Sequence, residues 1–223
     1  MRRSLAVQDD RRELEQLELF QLSQPTARSR SGTDGILEIE GQTLEFELKS
    51  TTKDSVTTVR DFGMDHILKW QNKHWLFGFY TPGGNALKFT RYASPAMMAP
   101  WVDEKRRYIE VDFKLAQLAA KHLTASDLYA LVGEKELYTL EDAQALHKKQ
   151  LKIAEYRGLF DVQGGYSPLR MLEILKMRCV YVVERGSTLN NPHIPKQVLE
   201  SFPKITDEHA ATLRKLVAQS LKS

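Results

Sequence analysis

Gly32-Thr33-Asp34-Gly35-Ile36-Leu37-Glu38-Ile39-Glu40-Gly41-Gln42-Thr43-Leu44-Glu45-Phe46-Glu47-Leu48-Lys49-Ser50 alternates apolar and charged residues in both of its halves. That is the period of a strand with one buried face. Gly41-Gln42 interrupts the alternation with turn chemistry, so Ile36–Glu40 and Thr43–Ser50 are predicted as the two strands of a hairpin. Leu44, Phe46 and Leu48 then share the core face, and Glu45, Glu47 and Lys49 share the other. Folding the hairpin about Gly41-Gln42 sets Asp34 opposite Lys49 and Ile36 opposite Glu47. Opposed residues lie ~5 Å apart at Cβ and diagonal ones ~7–8 Å. Asp34, Glu47 and Lys49 therefore converge at one end of the hairpin.

Upstream, residues 9–22 read as a helix with Leu14, Leu17 and Phe20 on one stripe. The polar stretch 23–32 links it to the hairpin. Downstream, 51–60 is rich in hydroxyls, Met64–Lys73 reads as a helix and Trp75–Tyr80 as an apolar strand. Pro82-Gly83-Gly84-Asn85 is a turn, and Ala86–Tyr92 the returning strand. Phe113–Arg178 is mostly helical, with helix starts at Thr124/Asp127 and Thr139/Asp142 and a cap at Ser167 before Pro168. Gly164-Gly165 breaks this block. Cys179–Glu184, rich in Val and Tyr, is expected to be a buried strand. A last helix starts at Thr206, with Leu213, Leu216, Val217 and Leu221 on one face. The fold class is α/β of mixed type: a central mixed β-sheet flanked by helices. We expect one domain over 1–223, with 113–178 as a helical elaboration within it.

Composition narrows the classes. The chain has 223 residues, 42% of them hydrophobic and 27% charged, enough for a real core. No apolar run approaches a membrane span, and the basic start Met1-Arg2-Arg3-Ser4 leads into polar residues rather than a signal-peptide core. The single Cys179 excludes a disulfide framework within the chain and a cysteine zinc cage. A cytoplasmic location is the expectation. The six His show no zinc spacing, and no Lys-Ser/Thr follows Gly83-Gly84, so a phosphate loop is excluded. Trp70, Trp75 and Trp101 are expected to pack, and Lys105-Arg106-Arg107 reads as a solvated charge run. The formal charge of +3 permits a polyanionic partner without demanding one.

Two carboxylates at hairpin spacing suit a hard divalent cation. Mg²⁺ takes one or two carboxylates and leaves its other positions to water and substrate phosphate. The backbone carbonyl of Leu48 lies between Glu47 and Lys49 and can complete the shell. Lys49 can orient a water or neutralise charge developing on phosphorus.

Asp34, followed 13 positions later by Glu47-Leu48-Lys49 on the next strand, resembles the PD-(D/E)xK nuclease superfamily and, within it, the type II restriction endonucleases. Thr33 stands where the family pattern has its nominal Pro. The order of elements resembles that core over residues 9–80. The resemblance implies a restriction-endonuclease-like core, Asp34 and Glu47 as magnesium ligands, and Lys49 as the catalytic lysine. It also implies a Glu from the first helix near the metal. Of Glu13, Glu15 and Glu18, Glu13 lies nearest the apolar stripe, about 40° from its centre, and is the candidate.

For double-stranded DNA, the hydroxyl-rich segment supplies Ser50, Thr51, Thr52, Lys53, Ser55, Thr57, Thr58 and Arg60 as candidate contacts. Asn190, Asn191 and Lys196 form a second group, since Asn can read adenine. The expected activity is Mg²⁺-dependent, site-specific hydrolysis of duplex DNA at a short palindrome, by a homodimer. The alternatives are a repair or junction-resolving nuclease on the same core, and a non-catalytic DNA-binding module.

Overall fold

The computed structural model of the chain describes residues 2–25 and 32–222, with the side chains of the first helix described from Asp10 onward. Of the polar stretch 23–32, residues 26–31 lie outside the described residues.

In chain order the elements are α1 (Arg2–Phe20), β1 (Gly35–Ile39), β2 (Gln42–Thr51), β3 (Val56–Thr57), α2 (Met64–Trp70), β4 (His74–Tyr80), β5 (Leu87–Ala93), α3 (Pro95–His122), α4 (Ala125–Val132), α5 (Leu140–His147), α6 (Ile153–Gly158), α7 (Pro168–Ser187), β6 (His193–Ile194), α8 (Lys196–Glu200), β7 (Lys204–Ile205) and α9 (His209–Ser220). The chain is of mixed α/β class. It divides into two compact units, one of residues 1–107 with 189–223 and one of residues 108–188. No helix among the described residues is long and apolar enough to cross a membrane.

The first unit holds a five-stranded sheet in the order β1-β2-β4-β5-β7. Its β2·β4 pair is parallel and the others are antiparallel. A parallel pair needs a crossover rather than a tight turn; here the crossover carries β3 and α2. On one face, Phe46, Leu48, Leu76 and Tyr92 of the sheet pack with Leu17 and Phe20 of α1 and Leu213 and Val217 of α9. Leu216 and Leu221 join this cluster only in part. Leu14, expected on the buried stripe, is exposed. The inward face of α1 is formed instead by Arg12, Gln16, Leu17 and Phe20, a sector turned toward polar neighbours at the strand ends. On the other face Trp75 and Phe77 of β4 meet an aromatic cluster in which Trp70 lies edge-on to Trp75 and near Phe62 and Trp101. All three tryptophans are buried, as their composition implied.

The hairpin register departs from expectation. Ile39 pairs with Gln42, so the turn is Glu40-Gly41, and both turn residues have positive φ (51° and 74°). This is the geometry whose twist matches that of the flanking strands. Ile36 therefore pairs with Glu45, not Glu47. The displacement is two residues, a whole strand period, so every side chain keeps its face.

The second unit is helical. Thr124 and Thr139 accept hydrogen bonds from the backbone N–H of Asp127 and Asp142, and Ser167 accepts from Arg170, so all three expected caps form. Its core joins Leu128, Tyr138, Tyr156, Tyr166, Met171 and Ile174. Each buried tyrosine hydroxyl is paired: Tyr138 donates to the Gly133 carbonyl, Tyr166 donates to the Tyr156 carbonyl, and Tyr156 meets His147 Nδ1. Gly165 is required where it stands, because a Cβ there would lie 2.3 Å from the Tyr138 carbonyl oxygen.

Cys179–Glu184 is not a strand. It continues α7, which runs unbroken to Ser187. Cys179 is half-buried, and Tyr181 and Val182 are exposed. The local β-branched content is overridden by the helix already propagating from Ser167, whose Met171, Ile174 and Leu175 anchor one face.

Candidate active site

Asp34 sits just before β1, where its backbone N–H donates to the Phe46 carbonyl at 3.0 Å. Its carboxylate accepts the Leu48 N–H at 2.8 Å, which points it along β2. The segment entering this position is pinned from below. Thr33 donates to Glu45 at 2.6 Å, and the Lys73 ammonium donates to Thr33 at 2.9 Å and stands 3.4 Å from Glu45. Thr33, in the position before Asp34, therefore anchors the approach to the site.

Glu47 is 1% exposed. It lies on a central strand, beside Trp75 of β4 in the register. An edge strand with a solvated charged face is thereby excluded. One carboxylate oxygen is 2.6 Å from Lys49 Nζ. The other, Oε2, is 3.1 Å from Lys69 Nζ of α2 but has no aligned hydrogen-bond donor among the described residues.

The charges are mutually biased. Burial and the nearby Glu47 raise the Asp34 carboxyl above its ordinary range, against the pull of Lys49. Burial also pushes Glu47 upward, but Lys49 and Lys69 outweigh it and leave Glu47 below the ordinary value. Burial pushes Lys49 down, but Glu47 and Asp34 more than compensate. The two carboxylates thus favour the ammonium form of Lys49.

Asp34 and Lys49 open onto a cavity of about 400 Å³ lined also by Glu13, Gln16, Leu48, Ser50, Thr57 and Thr58, and the buried Glu47 is not part of that lining. Glu13 is there as the helical stripe implied, and its charge reaches Lys49. Glu15 instead accepts a hydrogen bond from Tyr80 at 3.1 Å, and Glu18 is exposed. Sequence reasoning missed two participants. Gln16 donates to the Lys49 carbonyl at 3.4 Å, and its own Oε1 is buried without a partner among the described residues. Lys69 lies 22 positions beyond Glu47. The signal that could have found it is the polar side of a crossover helix, which must cover one face of the strand it leaves.

The candidate DNA contacts fall into groups. Ser50, Thr57 and Thr58 line the cavity. Thr51 is turned inward, donating to the Ser55 carbonyl at 2.8 Å and accepting the Lys53 N–H at 3.0 Å. Thr52, Lys53 and Lys196 border a separate hollow with Lys88 and Arg91, where Lys196 pairs with Asp54 at 3.3 Å. Arg60 and Asn190 are exposed, and Asn191 is half-buried at positive φ. The two candidate segments, remote in sequence, are paired in space. β3 and β6 form a two-stranded sheet, Thr58 donates to the Pro192 carbonyl at 2.8 Å, and Thr57 meets His193 at 3.2 Å.

The donor set suits a hard cation. Asp34, Glu47 and the Leu48 carbonyl are all oxygen ligands, and Glu47 Oε2 is a buried anionic oxygen with no aligned donor. Among the described residues, no cluster of three or more His, Cys, Asp and Glu side chains is placed to hold a metal ion, so an ion held by Asp34 and Glu47 would need further ligands from water or substrate. A cation held there would compete with Lys69 for Glu47 Oε2. No family model matches the chain, and no curated protein matches it.

Proposed function

We propose that the chain is a Mg²⁺-dependent endonuclease for double-stranded DNA, acting at a short palindromic site as a homodimer, in the manner of a type II restriction enzyme. The observation that supports it most is that Asp34 and Lys49 line one hydroxyl-bearing cavity while the buried Glu47 carboxylate lies 2.6 Å from the Lys49 ammonium. Asp34, Glu47 and the Leu48 carbonyl would hold the metal, which would supply an acidified water and polarise the phosphodiester. Ser50, Thr57 and Thr58 donate to phosphate oxygens as the backbone enters. Lys49, held as an ammonium, neutralises charge on the phosphorus centre as water adds and the bond to the 3′ oxygen breaks. The products carry a 5′-phosphate and a 3′-hydroxyl. The face carrying Asn190 and Asn191, joined to the cavity rim through β3·β6, is where base edges are read.

The test is incubation of supercoiled plasmid with the purified chain in Mg²⁺, Mn²⁺, Ca²⁺ or excess chelator. Discrete fragments in Mg²⁺ or Mn²⁺, binding without cutting in Ca²⁺, and loss of cutting in Asp34→Ala and Lys49→Ala are expected. Lys49→Ala should keep its DNA affinity in Ca²⁺. A smear, or cleavage confined to four-way junctions, redirects the reading to another nuclease on the same site. Full activity in chelator refutes the metal mechanism. Binding without cutting in any metal leaves a DNA-binding module.

A further inference from the structure

The second unit presents an exposed apolar stripe. Tyr108, Val111, Leu115 and Leu118 of α3 are 71%, 68%, 53% and 54% exposed. Their spacing of three, four and three residues is that of a coiled-coil seam, with Tyr108 and Leu115 at the a positions and Val111 and Leu118 at the d positions. The same helix already buries a different face through Ile109, Ala116 and Ala120. At 100° per residue the exposed stripe is centred roughly 140° around from Ile109. The stripe is therefore a second apolar face, not the margin of the first, and it runs along roughly 15 Å of helix axis.

The flanking charges select an occupant. Beside the seam, Arg107 and Lys114 stand at g positions and Asp112 at an e position. Neither Arg107 nor Asp112 is engaged in an ion pair or side-chain hydrogen bond among the described residues, whereas Lys114 is tied to Glu110 at 2.8 Å. In a parallel pair of identical helices, g faces the e position five residues further along the partner. That sets Arg107 of each copy against Asp112 of the other, twice. In an antiparallel pair g faces g, which places Lys114 against Lys114 and Arg107 against Lys121. Opposite charges favour the parallel arrangement and like charges oppose the other.

We propose that this stripe is the homodimer interface, two copies of α3 packing in parallel about a two-fold axis along the seam. It deepens the two-fold nuclease reading by naming the surface, and it is testable without DNA. Sedimentation equilibrium of the full chain should give twice 25.6 kDa. The double variant Val111→Glu/Leu115→Glu should be monomeric with unchanged far-UV circular dichroism. Arg107→Glu should weaken association about tenfold, and the swap Arg107→Glu/Asp112→Arg should restore it. In a Cys179→Ser background, Val111→Cys and Leu118→Cys should each cross-link to its own copy, which an antiparallel pair does not allow at both. A monomeric parent, a dimer unaffected by the double variant, or failure of both cross-links overturns the proposal. Dimerisation without cleavage leaves the interface and removes the nuclease reading; cleavage by a monomer does the reverse.

Discussion

Lys69 Nζ of the crossover helix stands 3.1 Å from Glu47 Oε2, while Lys49 Nζ holds the other oxygen of the same carboxylate at 2.6 Å. One buried anion is thus shared by two lysines, one a strand neighbour and one delivered from a separate element.

Glu47→Ala should abolish cleavage and also weaken the fold. The hairpin pattern places Glu47 at a strand end outside the core, yet the residue is buried with two cations against it. Without it the lysines repel each other at the cost of their own desolvation, a loss of about 3 kcal/mol. Urea unfolding measures it. Glu47→Gln, which keeps the volume and one acceptor, should lose less stability and equally much activity.

Lys69→Met should bind Ca²⁺ more tightly, by about tenfold. The ammonium at Glu47 Oε2 competes with any divalent ion for the same oxygen. Titration calorimetry on the metal alone reads this without reference to catalysis. Unchanged or weaker Ca²⁺ binding would place the ion away from Glu47.

His74 should set an acid limit on stability. Its ring is buried against Phe46 and Tyr92, and burial pushes its pKa down to about 4 from 6.5. Above pH 6.5 the imidazole is neutral in both states and adds no slope. Between 6.5 and 4 the unfolded chain takes up a proton that the folded one refuses. Stability therefore falls by up to about 3 kcal/mol by pH 4. His74→Gln should lack this component. The stability difference between parent and variant, measured by urea unfolding at pH 7 and pH 5, checks it.

Thr51→Val should cost about 1 kcal/mol and loosen the turn through Lys53 and Ser55, since the hydroxyl closes that turn from both sides. DNA affinity should fall only as far as Lys53 is displaced. A loss matching that of Lys53→Ala would assign Thr51 to the turn. A larger loss would make its hydroxyl a DNA contact.

The strand period was sufficient to put Asp34, Glu47 and Lys49 on a common face, and the capping residues Thr124, Thr139 and Ser167 located three helix starts. Both are local properties, written in residues a few positions apart. Even the misplaced turn left the faces intact, because its displacement was one full strand period. Three features were decided by tertiary structure alone. Cys179–Glu184 is helical because an anchored helix reaches it, although its residues favour a strand. Glu47 is buried because β4 pairs in parallel with β2 and the crossover brings α2 over its face, which no pattern within the hairpin records. Lys69 and Gln16 reach the site from elements before and after the hairpin. Their approach is set by how α1 and α2 pack against the sheet, an arrangement determined by apolar burial along whole elements and not by the residues that end up adjacent.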